Sequence, residues 1–97
     1  MIDRSILSDD VIARTIRGQL VLMSRLHSDV LTLNDTASFM VENLPSAKDL
    51  GDLGARVMRE FKIDDAAQVE RDLRSLLASL REKGIVKAEV LTRFLSE

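Results

Sequence analysis

Apolar and polar residues change rhythm once along this chain, near residue 34. Before it, short runs alternate as strands do; after it, apolar positions recur every three or four residues as on helices. Val11 to Arg17 and Leu20 to Arg25 are rich in Val, Ile, Leu and Thr, and Gly18-Gln19 between them predicts a tight hairpin turn. His27-Ser28-Asp29 supplies a second turn and Val30-Leu31-Thr32-Leu33 a third short strand. The expected sheet is a three-stranded antiparallel meander whose first and third strands are edges. Leu31 and Leu33 are favoured to face inward on the third strand. On the second, Leu20 and Leu22 compete with Val21 and Met23 with no clear winner.

Asn34 can accept from the first free amides of a helix running to about Leu44, which Pro45 then stops. Its inward stripe is Ala37, Met40, Val41 and Leu44, with Phe39 off that stripe and expected to be covered by a second element. Asp49 caps a second helix to about Phe61, with Leu50, Leu53, Val57 and Phe61 on one face. Gly51 and Gly54 weaken this helix, which implies either close packing on a neighbour or a frayed first turn. Asp65 and Gln68 read as a capping box for the longest helix, through about Lys83, whose stripe is Val69, Leu73, Leu76, Leu77 and Leu80. Gly84 closes it, and Ala88 to Leu95 forms a last amphipathic piece. The fold class expected is α+β, a meander followed by three helices and a short C-terminal one.

With 97 residues, 45% of them hydrophobic and 31% charged, one globular domain is expected. Cysteine is absent, which removes disulfides and thiolate metal sites. The start lacks a basic segment followed by an apolar one, and no run approaches membrane-spanning length, so a soluble, cytoplasmic protein without membrane contact is expected. Net charge is −2, and basic residues interleave with acidic ones even on the third helix, where Arg71, Arg74, Arg81 and Lys83 stand among Glu70, Asp72 and Glu82. A phosphate-binding stripe would need them gathered, so nucleic acid is not an expected partner.

Catalysis has no candidate residues. His27 is the only histidine, it falls in a predicted turn, and only Asp29 is an acidic neighbour. Asp9-Asp10 and Asp64-Asp65 read as turn and capping residues rather than as carboxylates converging on a bond. No nucleophile elbow or phosphate loop is present. Neither an enzyme nor a cofactor or metal site is expected. What the pattern offers is a strand edge beside a long helix, a place where an extended peptide can add as a further strand. The plain alternative is that Val30 to Leu33 complete the core and their edge is covered.

Leu33-Asn34-Asp35-Thr36-Ala37-Ser38-Phe39-Met40-Val41-Glu42-Asn43-Leu44 resembles the PqqD-family stretch in which a strand-ending Leu-Asn leads through an acidic residue, Thr and a small residue into a helix. Asp49-Leu50 through Arg59-Glu60-Phe61 is similar to that family's second helix. Asp64-Asp65, Val69-Glu70-Arg71-Asp72-Leu73, Leu76-Leu77 and Leu80-Arg81-Glu82-Lys83-Gly84-Ile85-Val86 resemble its closing helix and ending. The likeness spans about residues 11 to 86, leaving 1–10 as an N-terminal arm and 87–97 as a C-terminal helical extension. Val41 departs from it, standing where many relatives carry Trp.

The resemblance implies a winged-helix-like recognition element for leader peptides of ribosomally made, modified peptides, presenting them to a separate enzyme, often of the radical-SAM type. It implies that Val30, Leu31, Thr32 and Leu33 supply ladder bonds to the leader while Asp72, Leu73, Ser75 and Leu76 border its cleft. Leu73 and Leu76 also lie on or beside the core stripe. Two other classes stay open. One is a winged-helix DNA-binding regulator using Asp49 to Phe61, with Asp52, Arg56, Arg59 and Glu60 on its polar face. The other is a dimeric scaffold, a homodimer joined through Phe39 and the C-terminal helix.

Overall fold

The hairpin that opens the sheet turns on Arg17 and Gly18, with φ of +52° and +81°. The computed structural model describes residues 3–26 and 29–95. Strand β1 (Val11–Ile16) pairs antiparallel with β2 (Gln19–Ser24), Ile16 standing opposite Gln19. The sequence pattern places the turn at Gly18-Gln19, but it forms one residue earlier. A two-residue loop that matches the strand twist needs positive φ at both central positions and favours Gly at the second, which puts Gly18 last in the loop and Gln19 in the strand. Strand β3 (Val30–Leu33) pairs antiparallel with β2 and completes the order β1-β2-β3. His27 and Ser28 of the predicted second turn lie outside the described residues.

Three side-chain caps start the helices that follow. Asn34 Oδ1 accepts from Ala37 N at 2.9 Å to open α1 (Asp35–Asn43), and Asp49 Oδ1 accepts from Asp52 N at 2.8 Å to open α2 (Leu50–Phe61). Asp65 Oδ1 accepts from Gln68 N at 3.1 Å to open α3 (Ala66–Glu82). The reciprocal half of the expected capping box is missing, because the Gln68 side chain donates to Asp72 Oδ1 and accepts from Arg71 instead. Gly84 at φ +64° ends that run, as a left-handed cap does, and α4 (Ala88–Leu95) follows.

The helices cover one face of the sheet. Leu20, Leu22 and Leu33 point into a core shared with Val41 and Leu44 of α1, Leu53 and Val57 of α2, and Leu73, Leu77 and Leu80 of α3. The competition on β2 is thereby decided for Leu20 and Leu22. Each fully buried aliphatic side chain stabilises the fold by roughly 1.5–3 kcal/mol. At Gly54 an added Cβ would sit in ordinary contact with Leu73 Cδ1 at 3.6 Å and Val69 Cγ1 at 3.8 Å, so the packing of α2 on α3 does not require this glycine. Phe39 is covered by Phe61, which stands edge-on at 5.5 Å between ring centroids. That cover comes from α2.

Both ends of the described chain close onto this core. Ile6 and Leu7 are buried, Leu7 bridges Val86, Ser8 N donates to Ile85 O at 2.9 Å, and Lys87 N donates to Ile6 O at 2.8 Å. Leu91 and Phe94 bury α4, and the Arg93 guanidinium donates to Leu44 O, Pro45 O and Ala47 O at 3.4, 3.3 and 3.1 Å. These carbonyls lie just past α1, where helical partners run out and a cation is favoured. Among the described residues no helix is long and apolar enough to cross a membrane.

Candidate functional site: the free edge of the third strand

Strand β3 has only four residues, and its hydrogen-bond phase follows from one contact at its start. Ser24 N donates to Asp29 O at 2.9 Å, in the register that places Leu22 opposite Leu31 and Leu20 opposite Leu33. Bonded and non-bonded pairs alternate along an antiparallel ladder, so Leu31 and Leu33 direct their N–H and C=O groups to β2. Val30 and Thr32 turn theirs to the opposite side. No strand pairs with that side among the described residues. The four residues expected to offer ladder bonds thus divide in two: Val30 and Thr32 have them to give, while those of Leu31 and Leu33 are spent within the sheet.

The side chains divide the same way. Leu33 is buried and Leu31 half-buried against the core, whereas Val30 and Thr32 are exposed on the outer face of the sheet. Beside the end of β3 lies an open cleft of about 290 Å³, lined by Asn34, Thr36, Ala37 and Met40 with Asp72 and Leu76 of α3. Two of the four α3 residues expected at the cleft therefore line it. Ser75 is exposed and adjoins them in sequence, whereas Leu73 is fully buried against α2, facing Gly54 and Val69, and does not line the cleft.

The α1 side of the cleft is absent from the residues expected to border it, Asn34 being read as a cap and Ala37 and Met40 as core. It was legible in the sequence, because a helix that starts directly after a strand must set its first turn at that strand's end, and positions 36, 37 and 40 share a helix face. Asp72 supplies an exposed carboxylate at the rim, oriented by the Gln68 amide at 2.8 Å. The cleft is otherwise a mix of small, apolar and neutral polar groups, suited to accept a side chain and not to transform one. Among the described residues no group of His, Asp or Glu is placed to hold a metal ion.

The polar face of α2, the candidate DNA-reading surface, is differently occupied. Arg56 pairs with Asp52 at 3.2 Å and donates to Asn43 Oδ1, Ser46 Oγ and Ser46 O, tying α2 to the end of α1. Its guanidinium is engaged within the fold. On α3, Arg74 pairs with Glu70 at 3.2 Å, as expected for a solvated helix face.

Comparison with known proteins agrees with this architecture. No curated protein matches the chain. Among solved structures, TbiB1 in complex with the TbiA(beta) leader peptide superposes with a TM-score of 0.71 at 25% identity, covering 86% of this chain and 95% of that one. A lasso peptide synthetase B1 complexed with the leader peptide gives a TM-score of 0.71 at 25% identity, covering 84% of this chain and 94% of that one. The family model described as coenzyme PQQ synthesis protein D matches residues 19–86, from the first residue of β2 to the bridge at Val86. With most of its length under that match and the meander, caps and closing helix in the same order, the chain belongs to the PqqD family.

Proposed function

We propose that this protein binds the leader segment of a ribosomally synthesised precursor peptide as a fourth strand on the free edge of β3, and presents the attached core to a separate modifying enzyme. The observation that carries the reading is the pair of outward backbone sites at Val30 and Thr32, next to the cleft of Asn34, Ala37, Met40, Asp72 and Leu76. Strand addition takes affinity from the main chain and selectivity from pockets for alternate side chains. A leader residue opposite Leu31 would turn its side chain inward, toward the cleft, with Ser75 at its margin. The solved relatives were captured with leader peptides, which supports the same occupant here. The peptide-binding unit is residues 11–86, with the N-terminal arm and C-terminal helix completing its core. The enzyme served is a radical-SAM maturase in one form of this proposal and a peptide synthetase in the other. In either case the module acts by raising the local concentration of the core peptide, which requires no catalytic group of its own.

Titration with the labelled leader of a precursor encoded beside this gene tests the reading. A Kd tighter than about 10 μM, equivalent to about −7 kcal/mol, is expected, with amide shifts on residues 29–33, 34–40 and 72–76. Shifts confined to α2 on adding duplex DNA, with none for the leader, would sink it.

A further inference from the structure

The outer face of the sheet gives no side chain to the core, yet much of it is apolar. Ile12, Met23 and Val30 form one cross-strand row, with Val21 in the next row and Ile16 beyond it. Val30 is 59% and Ile16 51% exposed, and Val21 is buried without belonging to the core cluster. Singly exposed apolar residues need no explanation; a contiguous group on one face does.

Charge narrows the occupant. Between residues 11 and 33 the chain carries Arg14, Arg17 and Arg25 against Asp29 alone, in a protein whose net charge is −2. Arg14 sits mid-face beside Val21, Arg17 at the hairpin tip and Arg25 just past β2. Among the described residues none of the three is in an ion pair. A second copy fits this face badly, since apposed identical faces would crowd their arginines together. Single-stranded nucleic acid fits no better, because no phenylalanine lies on the face: Phe39 and Phe61 pack on each other and Phe94 is in the core.

We propose that a protein surface bearing aliphatic side chains framed by Asp and Glu docks on this face, and that it belongs to the enzyme to which the peptide is presented. That identification rests on the peptide-presentation reading above. Continuity supports it: β3 gives the side chains of Val30 and Thr32 to this face and their backbone groups to the leader. An enzyme seated on the face is therefore beside the presented strand, and both can be bound at once.

The test uses the intact chain, the leader of the neighbouring precursor and the maturation enzyme encoded with it. Arg14→Glu, alone and combined with Ile16→Glu, is expected to weaken enzyme binding at least about tenfold while leader affinity stays within about twofold, since reversed rim charges act on the partner and not on the β3 edge. If the double variant does not fold, Arg14→Glu carries the test. Raising salt from about 50 to about 300 mM should weaken the wild-type enzyme complex as well. Unchanged enzyme affinity in folded variants, or no enzyme binding by a wild type that does bind leader, overturns the docking face and leaves presentation standing. Self-association lost in Arg14→Glu, or RNA binding lost in it, reassigns the face to those partners and overturns the proposal. Failure of the wild type to bind leader instead defeats the presentation reading, and the enzyme's identification with it.

Discussion

The two faces of β2 carry nearly equivalent side chains and meet opposite surroundings. Leu20 and Leu22 lie under helices α1, α2 and α3 in the common core, while Val21 and Met23 stand on the opposite side, outside that core, Val21 buried among its neighbours on the sheet. Met23 keeps partial exposure, whereas Leu22 has none. What separates the faces is cover, and cover is set by where the chain goes after Leu33. A strand with two apolar faces has one to spend on folding and one left for a partner.

Substitutions on the two faces should differ most of all. Leu22→Ala is expected to cost about 2–5 kcal/mol, because the surrounding core collapses only partly into the cavity. Met23→Ala should cost less than about 1 kcal/mol, as surface changes do. Equal shifts in chemical denaturation for the pair would break the comparison.

The next contrast is within β3. Leu31→Pro removes an N–H that bonds to β2 and should destabilise the domain by about 3 kcal/mol. Thr32→Pro removes one that faces outward, where Pro is tolerated on an edge strand, and should cost less than about 1 kcal/mol in stability. The binding order is reversed for a folded protein: Thr32→Pro should lose leader affinity by at least about tenfold, since it deletes a ladder donor and blocks the edge. A folded Thr32→Pro variant with full affinity would place the peptide elsewhere.

A smaller effect is expected where the C-terminal helix meets α1. Arg93→Met leaves the buried Leu91 and Phe94 in place but withdraws the donor shared by three carbonyls, and should cost about 1 kcal/mol by thermal unfolding. The smallest lies at the start of α2. The Lys48 amide, bonded at 2.9 Å, and then the Arg56 guanidinium hold the Asp52 carboxyl below its ordinary 3.8. A carboxyl with a depressed folded value stabilises above its unfolded value and loses that contribution as pH falls through the folded one. Asp52→Asn should therefore be slightly less stable than wild type at neutral pH, and the difference should fade as pH drops below 3.8. A gap that persists unchanged in acid would assign the effect to something other than charge.

Most of the fold was legible because its signals are local. Asn34, Asp49 and Asp65 each cap a helix as their position before an apolar stripe suggests, since the acceptor and the amide it meets are three residues apart. The hairpin slipped by one residue because Arg17 takes a positive φ, a state that sequence ordinarily reserves for Gly or Asn. Lys62 does the same at the end of α2, at φ +54°. The site was half legible. The edge strand and the Asp72–Leu76 stretch could be named, but the split between Val30 and Thr32 on one side and Leu31 and Leu33 on the other needs the ladder's phase. Leu73 and Leu76 are equally apolar and three apart, and only the placement of α2 decides that one is core and the other lines the cleft.

By itself the sequence determined the element order, the caps, the lack of cysteine and a single histidine, and the family's run of blocks, all of which depend on residues close together in the chain. Tertiary structure alone decided which face of β2 joins the core, that the segments flanking the domain close that core through Leu7–Val86 and Arg93, and that arginines and aliphatic side chains share the outer face. Those facts join residues distant in sequence. An alternating strand records that it has two faces, but not which one the rest of the chain will cover.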